Sequence, residues 1–224
     1  MSVFRDLVNI WKSEDSLSQA WSESNDMLHL SHEMFNDAVE ALRSGEKNKV
    51  LKSIKLRDEK INDYHREIRK KVVTYYSVSK DVTNIDSGLV LINTVVDIER
   101  IGDYSKNILD LAKHYPKKFI AEKFSEDLRT IEETVIDRFS STIKAVEDMD
   151  ENLADELIAS YRNDLGKISD KLVAASISGE VEIGKENKTA SVALYARYLK
   201  RIGAHLKNIT SLVVNPFESI GYIK

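Results

Sequence analysis

The sequence contains no cysteine among its 224 residues. This absence excludes disulfide bonds, zinc sites built on thiolates, and cysteine nucleophiles, and it fits a protein of a reducing compartment. Only 8 glycines and 2 prolines interrupt the chain. Because these two residue types mark turns and break regular structure, their scarcity predicts a few long helical elements.

Long apolar runs and an excess of positive charge are also missing. No window approaches the roughly 18 uncharged apolar residues that a membrane span needs. Arg5 and Asp6 interrupt the first apolar run, which is therefore unlike a signal peptide. The 33 basic and 37 acidic residues give a formal charge of −4, which argues against nucleic-acid binding. We expect a cytoplasmic protein that meets a membrane only through a partner.

Apolar residues recur at three- and four-residue spacings in six long segments, which predicts six amphipathic helices. The predicted helices cover residues 16–44, 48–76, 89–114, 125–148, 152–178 and 189–214. Three such helices joined by short turns close into an antiparallel bundle, so we expect an all-α fold of two tandem three-helix bundles. The predicted divisions are a short helical appendage (1–15), a first repeat (16–118), a second repeat (119–214) and a tail (215–224).

An internal repeat connects the third and sixth predicted helices. The stretch DIERIGDYSKNI (Asp97–Ile108) returns 101 residues later as YLKRIGAHLKNI (Tyr198–Ile209), with six of twelve residues identical. The carboxylates are not among the identical residues. Lys200 stands in place of Glu99, and Ala204 stands in place of Asp103. The repeat therefore preserves a helix pattern and changes its charge.

The third predicted helix carries acids on one face. Glu99 and Asp103 are four residues apart, and Asn107 follows one turn later. Like charges at this spacing repel each other, and a hard cation would relieve that repulsion because it prefers carboxylate and amide oxygens as ligands. The first repeat is therefore a candidate metal site.

The second predicted helix offers two further pairs with the same spacing, and the sequence alone leaves open which pair faces the third helix. The pairs are Asp58 with Asn62, and Glu59 with Asp63. The alternative to a metal site is a solvated helix face on which arginines neutralise the acids. The arginines that could do so are Arg57, Arg66 and Arg100.

Other polar constellations carry less information. His29 and His32 have a spacing that can ligate zinc, and Glu133 with Asp137 forms another acidic pair, but we expect all four on the surface. Neither a glycine-flanked nucleophile nor a phosphate-binding glycine loop is present, so we expect no enzyme of those classes. The repeated glycines in the third and sixth helices predict close packing by a neighbouring helix.

The two motifs DIERIGDYSKNI and LRDEKINDYHREI together resemble the PhoU family of phosphate uptake regulators. The resemblance implies a non-enzymatic cytosolic protein that represses high-affinity phosphate uptake. It would also repress, indirectly, the transcription of phosphate genes. It would do so by contacting a phosphate transporter subunit and a sensor kinase. A homodimer is left open. An alternative is a helical metal-binding protein or metalloenzyme that is unrelated to transporter control.

The resemblance also implies a cofactor, because some members of the family carry iron or zinc clusters on acidic ladders. Carried over to this chain, the third-helix ligands are Glu99 and Asp103, and Asp58 with Asn62 is the better match in the second helix. Lys200 would repel a cation and Ala204 offers no ligand, so we expect at most one metal site, in the first repeat. The full set of candidate ligands is Asp58, Glu59, Asn62, Asp63, Glu99, Asp103 and Asn107.

Overall fold

The computed structural model describes residues 16–79, 85–115, 119, 125–179, 188–215 and 219–221. Within these ranges all regular structure is helical and no strand occurs. The all-α prediction is confirmed. The predicted appendage (1–15) and most of the tail lie outside the described residues.

The first repeat contains the three predicted helices, with one division that the sequence did not predict. Its elements are α1 (Ser16–Ser44), α2 (Asn48–Lys55), α3 (Arg57–Ser79) and α4 (Ile85–His114). Gly45 ends α1 as predicted, with a φ of 75° that suits glycine. The second predicted helix is divided at Leu56, whose carbonyl accepts from the Glu59 N–H at 3.2 Å across a tighter turn.

The second repeat follows the same plan, and its middle helix is also divided. Its elements are α5 (Ser125–Asp148), α6 (Glu151–Tyr161), a π-helical turn (Arg162–Gly166), α7 (Lys167–Ser178) and α8 (Lys188–Val214). Asp150 caps α6, because its carboxylate accepts from the Leu153 N–H at 3.0 Å. The π turn contains one residue more than an α-helical turn, a change that the spacing of apolar residues does not reveal.

The apolar stripes of these helices form one continuous core. In the first repeat α3 packs on α1 and α4, and in the second repeat α6 and α7 pack on α8. The repeats meet along two helix pairs, α4 with α8 and α1 with α5. Burial of each large side chain stabilises the fold by about 1.5–3 kcal/mol. Fully buried examples are Met34, Phe35, Ile61, Ile98, Ile101, Phe139, Leu165 and Tyr195.

Equivalent positions of the two repeats meet where α4 crosses α8. Asp97 Oδ1 lies 2.7 Å from His205 Nδ1, and the residues equivalent to this pair, Tyr198 and Tyr104, have ring centroids 6.1 Å apart. Each contact is thus the counterpart of the other under the 101-residue repeat. The repeats are therefore related by an approximate twofold axis that passes between α4 and α8.

A partly buried ion pair joins the repeats between α1 and α5. Arg43 on α1 contacts Glu132 on α5 at 2.9 Å, and the Tyr195 hydroxyl on α8 donates to the same carboxylate. Burial and the neighbouring Glu132 charge raise the pKa of Tyr195 well above its usual range, so this hydroxyl stays a donor. This network connects α1, α5 and α8.

Candidate functional site

The structure decides which acidic pair of the second predicted helix faces α4. Asp58 is only 8% exposed and Ile61, one turn later, is fully buried, so this face of α3 lies against α4. Asn62 is next to Asp58 and its side-chain amide donates to Asp58 Oδ2 at 2.9 Å. Glu59 and Asp63 are exposed. The site therefore includes Asp58 and Asn62 and leaves out the other pair.

A lysine that the sequence interpretation did not select lies at the centre of the cluster. Lys106 Nζ is 2.8 Å from Asp58 Oδ2 on α3 and 2.8 Å from Asp103 Oδ1 on its own helix. One ammonium group thus joins carboxylates from two helices. The signal for this contact was present in the sequence, because Asp103 and Lys106 are three residues apart and therefore neighbours on a helix.

Arginines neutralise part of the cluster, as the alternative interpretation anticipated. Arg100 Nη1 lies 3.1 Å from Asp103 Oδ2, and Arg100 Nε lies 3.6 Å from Glu99 Oε2. On the outer face of α3, Arg66 pairs with Asp63. Arg57 differs, because it pairs with Asp37 on α1 at 2.7 Å.

Burial and neighbouring charges shift two protonation equilibria in the cluster. The pKa of Glu99 is raised, first by burial and then by Asp103 and more weakly Asp58, although Arg100 and Lys106 oppose the shift. Burial alone would lower the pKa of Lys106, but its bonds to Asp103 and Asp58 outweigh burial and raise it. Lys106 therefore stays charged, and the charged form of Glu99 is disfavoured.

The carboxylates as arranged do not fit a bound metal. The described residues contain no group of three or more His, Cys, Asp or Glu side chains that could hold a metal ion. Lys106 occupies the space between Asp58 and Asp103 in which a cation would contact both carboxylates. One feature does favour a cation, since Asp58 Oδ1 is buried and has no hydrogen-bond partner among the described residues. Asn107 lines the same surface groove as Asp103 and Lys106.

The equivalent place in the second repeat has a different chemistry. Lys200, at the position of Glu99, donates to Asp170 on α7 at 2.5 and 2.6 Å. Lys207, at the position of Lys106, donates to the Gly221 carbonyl at 2.6 Å and lies 5.7 Å from the centroid of the Tyr161 ring. Burial lowers the pKa of Lys207. Among the described residues, no acidic cluster surrounds this second lysine.

The histidines and the remaining acidic pair lie elsewhere. His29 Nε2 is 2.7 Å from Glu147 on α5, and the His32 ring lies 4.7 Å from the Phe139 ring. Burial, followed by the His29 charge, lowers the pKa of His32. Both histidines thus join α1 to α5, with one half-exposed and one partly buried. Glu133 and Asp137 are exposed, as expected.

Comparison with known proteins supports the interpretation of the first repeat. A family model described as the PhoU domain matches residues 25–112, a range that includes most of α1, all of α3 and nearly all of α4. The first repeat is therefore similar to a PhoU domain. No curated protein matches the sequence.

The fold of PhoU extends over both repeats. The crystal structure of PhoU from Pseudomonas aeruginosa superimposes with a TM-score of 0.77, covering 89% of this chain and 95% of that chain. The identity is 22%, so this likeness concerns the fold. Two tandem PhoU-like bundles are therefore the architecture of the molecule. A search of the described helices finds none long and apolar enough to cross a membrane.

Proposed function

We propose that this protein regulates phosphate uptake and does so by protein contact. The observation that carries the proposal is the match to the PhoU domain at residues 25–112, which supports a role in phosphate-uptake regulation in general. The finer proposal is repression of high-affinity phosphate transport. Its partners would be a subunit of a membrane phosphate transporter and a sensor kinase, both reached from the cytoplasm.

The chemistry of the cluster favours a contact protein over an enzyme. Asp58 and Asp103 are bound by Lys106, and Arg100 contacts Asp103 and Glu99. The two carboxylates that Lys106 binds are poorly placed to exchange protons with a substrate, which requires a free group within hydrogen-bond reach. Regulation would therefore depend on the surfaces that the helices present, and the cluster would stabilise the packing of α3 on α4.

A metal ion remains part of the proposal for the first repeat. Iron or zinc would be held by Asp58, Glu99 and Asp103, and would supply positive charge where α3 packs on α4. Lys106 would first have to leave its position between Asp58 and Asp103. The second repeat would take no metal, since Lys200 and Ala204 replace two of these ligands.

The experiment that tests regulation is affinity capture combined with an uptake assay. We expect the tagged protein to co-purify a phosphate transporter subunit from phosphate-replete cells, and cells that lack the protein to take up radiolabelled phosphate faster than wild-type cells. A matched control is the tag alone, expressed at the same level. Unchanged uptake together with no captured transporter subunit would show that the protein does not control phosphate transport.

A further inference from the structure

We propose that the ammonium group of Lys106 is a built-in cation of the first repeat, which competes with a divalent metal ion for Asp58 and Asp103. In the wild type, a metal ion could bind to these carboxylates only after Lys106 had left them. Removal of this one side chain would turn the cluster into a metal site. This proposal concerns the cluster itself, and it does not depend on which partner the protein contacts.

The position of Lys106 is that of a bridging ion. Its Nζ atom lies at 2.8 Å from oxygens of two carboxylates that belong to different helices. The Lys106 side chain is 24% exposed and the Asp58 side chain is 11% exposed, so the bridge is largely shielded from water. Charges shielded in this way interact more strongly than exposed pairs.

A second observation is that one carboxylate oxygen of the cluster lacks a partner. Asp58 is buried, and its Oδ1 atom has no hydrogen-bond partner among the described residues. This oxygen lies beside the backbone of Gly102, 3.5 Å from the point where a Cβ atom would be. A buried carboxylate oxygen without a partner is costly, and a metal ion of the hard, oxygen-binding class would satisfy it.

The second repeat provides an internal control for this proposal. Lys207 occupies the equivalent position on α8, where it contacts the Gly221 carbonyl and the Tyr161 ring. Removing its charge would expose no carboxylate cluster among the residues that the structure describes. Lys106→Met and Lys207→Met are therefore the same substitution at equivalent positions, and only the first is expected to create a metal site.

The test is a calorimetric titration with Mn²⁺ alone, on purified metal-free protein. Mn²⁺ is suitable because it prefers oxygen ligands. We expect Lys106→Met to bind one Mn²⁺ per chain roughly tenfold or more tightly than the wild type, because competition from a bound charge has been removed. Lys207→Met should behave like the wild type. Addition of Asp58→Asn and Asp103→Asn to Lys106→Met should abolish the gain.

Each other outcome overturns the proposal. If the wild type and Lys106→Met bind Mn²⁺ equally, or if neither binds, Lys106 does not compete for the cluster. If the gain survives Asp58→Asn with Asp103→Asn, the ion binds elsewhere. Lys106→Gln is a second variant in case Lys106→Met does not keep its helical circular dichroism, since the amide retains a donor and lacks the charge. Affinity capture of a transporter subunit is measured separately, so failure here would leave the regulatory proposal standing.

Discussion

The third helix of each repeat carries a lysine at the same position, and the two lysines have opposite surroundings. Lys106 contacts two carboxylates, whereas Lys207 contacts a backbone carbonyl and an aromatic ring. The bonds to Asp103 and Asp58 overcome burial and raise the pKa of Lys106, while burial lowers that of Lys207. The same arrangement of helices thus accommodates a lysine bound by carboxylates and a lysine bound by a carbonyl and a ring. The acids of the first repeat are therefore not needed to form the bundle.

The largest expected difference between the two lysines is in the stability of the metal-free protein. Lys106→Met should lower the free energy of unfolding by about 3 kcal/mol, because it leaves the buried Asp58 charge without its cation. Lys207→Met should cost about 1 kcal/mol, since it removes a bond to a carbonyl and a contact with an aromatic ring but leaves no buried charge without its partner. Urea denaturation followed by circular dichroism measures both values. Equal losses would mean that the carboxylates around Lys106 add nothing to its contribution.

A second pair of equivalent residues tests the packing. A Cβ atom on Gly203 would lie 2.0 Å from Leu165 Cδ2, and Leu165 is fully buried, whereas on Gly102 it would lie 3.3 Å from Ile61 Cδ1. Gly203→Ala should therefore destabilise the protein by about 1–3 kcal/mol through overpacking. Gly102→Ala should remain within about 1 kcal/mol of the wild type, because the better helix propensity of alanine offsets a smaller clash.

Thermal unfolding of the two alanine variants checks this difference. The matched substitution removes helix propensity as an explanation, because both glycines lie inside a long helix and gain the same amount. A larger loss for Gly102→Ala than for Gly203→Ala would contradict the packing described for α3 on α4.

The exposed ion pair between Lys200 and Asp170 in the second repeat should contribute less to stability. Lys200 donates to both oxygens of Asp170, but the Asp170 side chain is 62% exposed. Lys200→Ala should therefore lower stability by no more than about 1 kcal/mol, and 1 M salt should reduce the difference between the variant and the wild type. A loss that salt does not affect would indicate that Lys200 stabilises α8 through packing.

The smallest expected effect concerns Glu99, whose counterpart is Lys200. Its raised pKa in the folded protein means that the charged form is disfavoured there, so Glu99 reduces stability as pH rises from the ordinary glutamate range to neutrality. Glu99→Gln should stabilise the protein at pH 7 by about 0.2–0.5 kcal/mol, the cost of a like-charge pair on a helix. The gain should vanish below the ordinary pKa of 4.5.

Denaturation of Glu99→Gln and the wild type at several pH values measures that gain. The groups that surround Glu99 are Asp103, Arg100 and Lys106 on α4, and Asp58 on α3. A variant that is less stable than the wild type at pH 7 would show that the attraction of Arg100 and Lys106 outweighs burial and the two acids.

Apolar periodicity was sufficient to place the six predicted helices. It could not predict the break at Leu56, because the buried residues before and after it, such as Ile54 and Asp58, keep a helical spacing. It also could not predict the π turn at Arg162–Gly166, which changes backbone hydrogen bonding within a continuous helical segment.

The candidate site was only partly predictable. The spacing of Glu99 and Asp103 located the acidic face of α4, but two pairs on α3 were compatible with it, and only packing shows that Asp58 faces inward. Ligand chemistry does not point to Lys106, because hard metal ions bind acids and amides, whereas lysine is itself a cation. A lysine three residues after an acid lies next to it on a helix and can pair with it as a metal ion would. Binding of iron or zinc by the first repeat stays a prediction.

The central claim is that Lys106 serves as the cation of the acidic cluster in the first repeat. A double-mutant cycle with Lys106→Met and Asp58→Asn, carried out by urea denaturation in metal-free buffer, tests it most directly. We predict that the two residues are coupled by about 1–2 kcal/mol, within the range for residues in one ionic network. A coupling energy of zero would contradict the account, because the two side chains would then stabilise the fold independently.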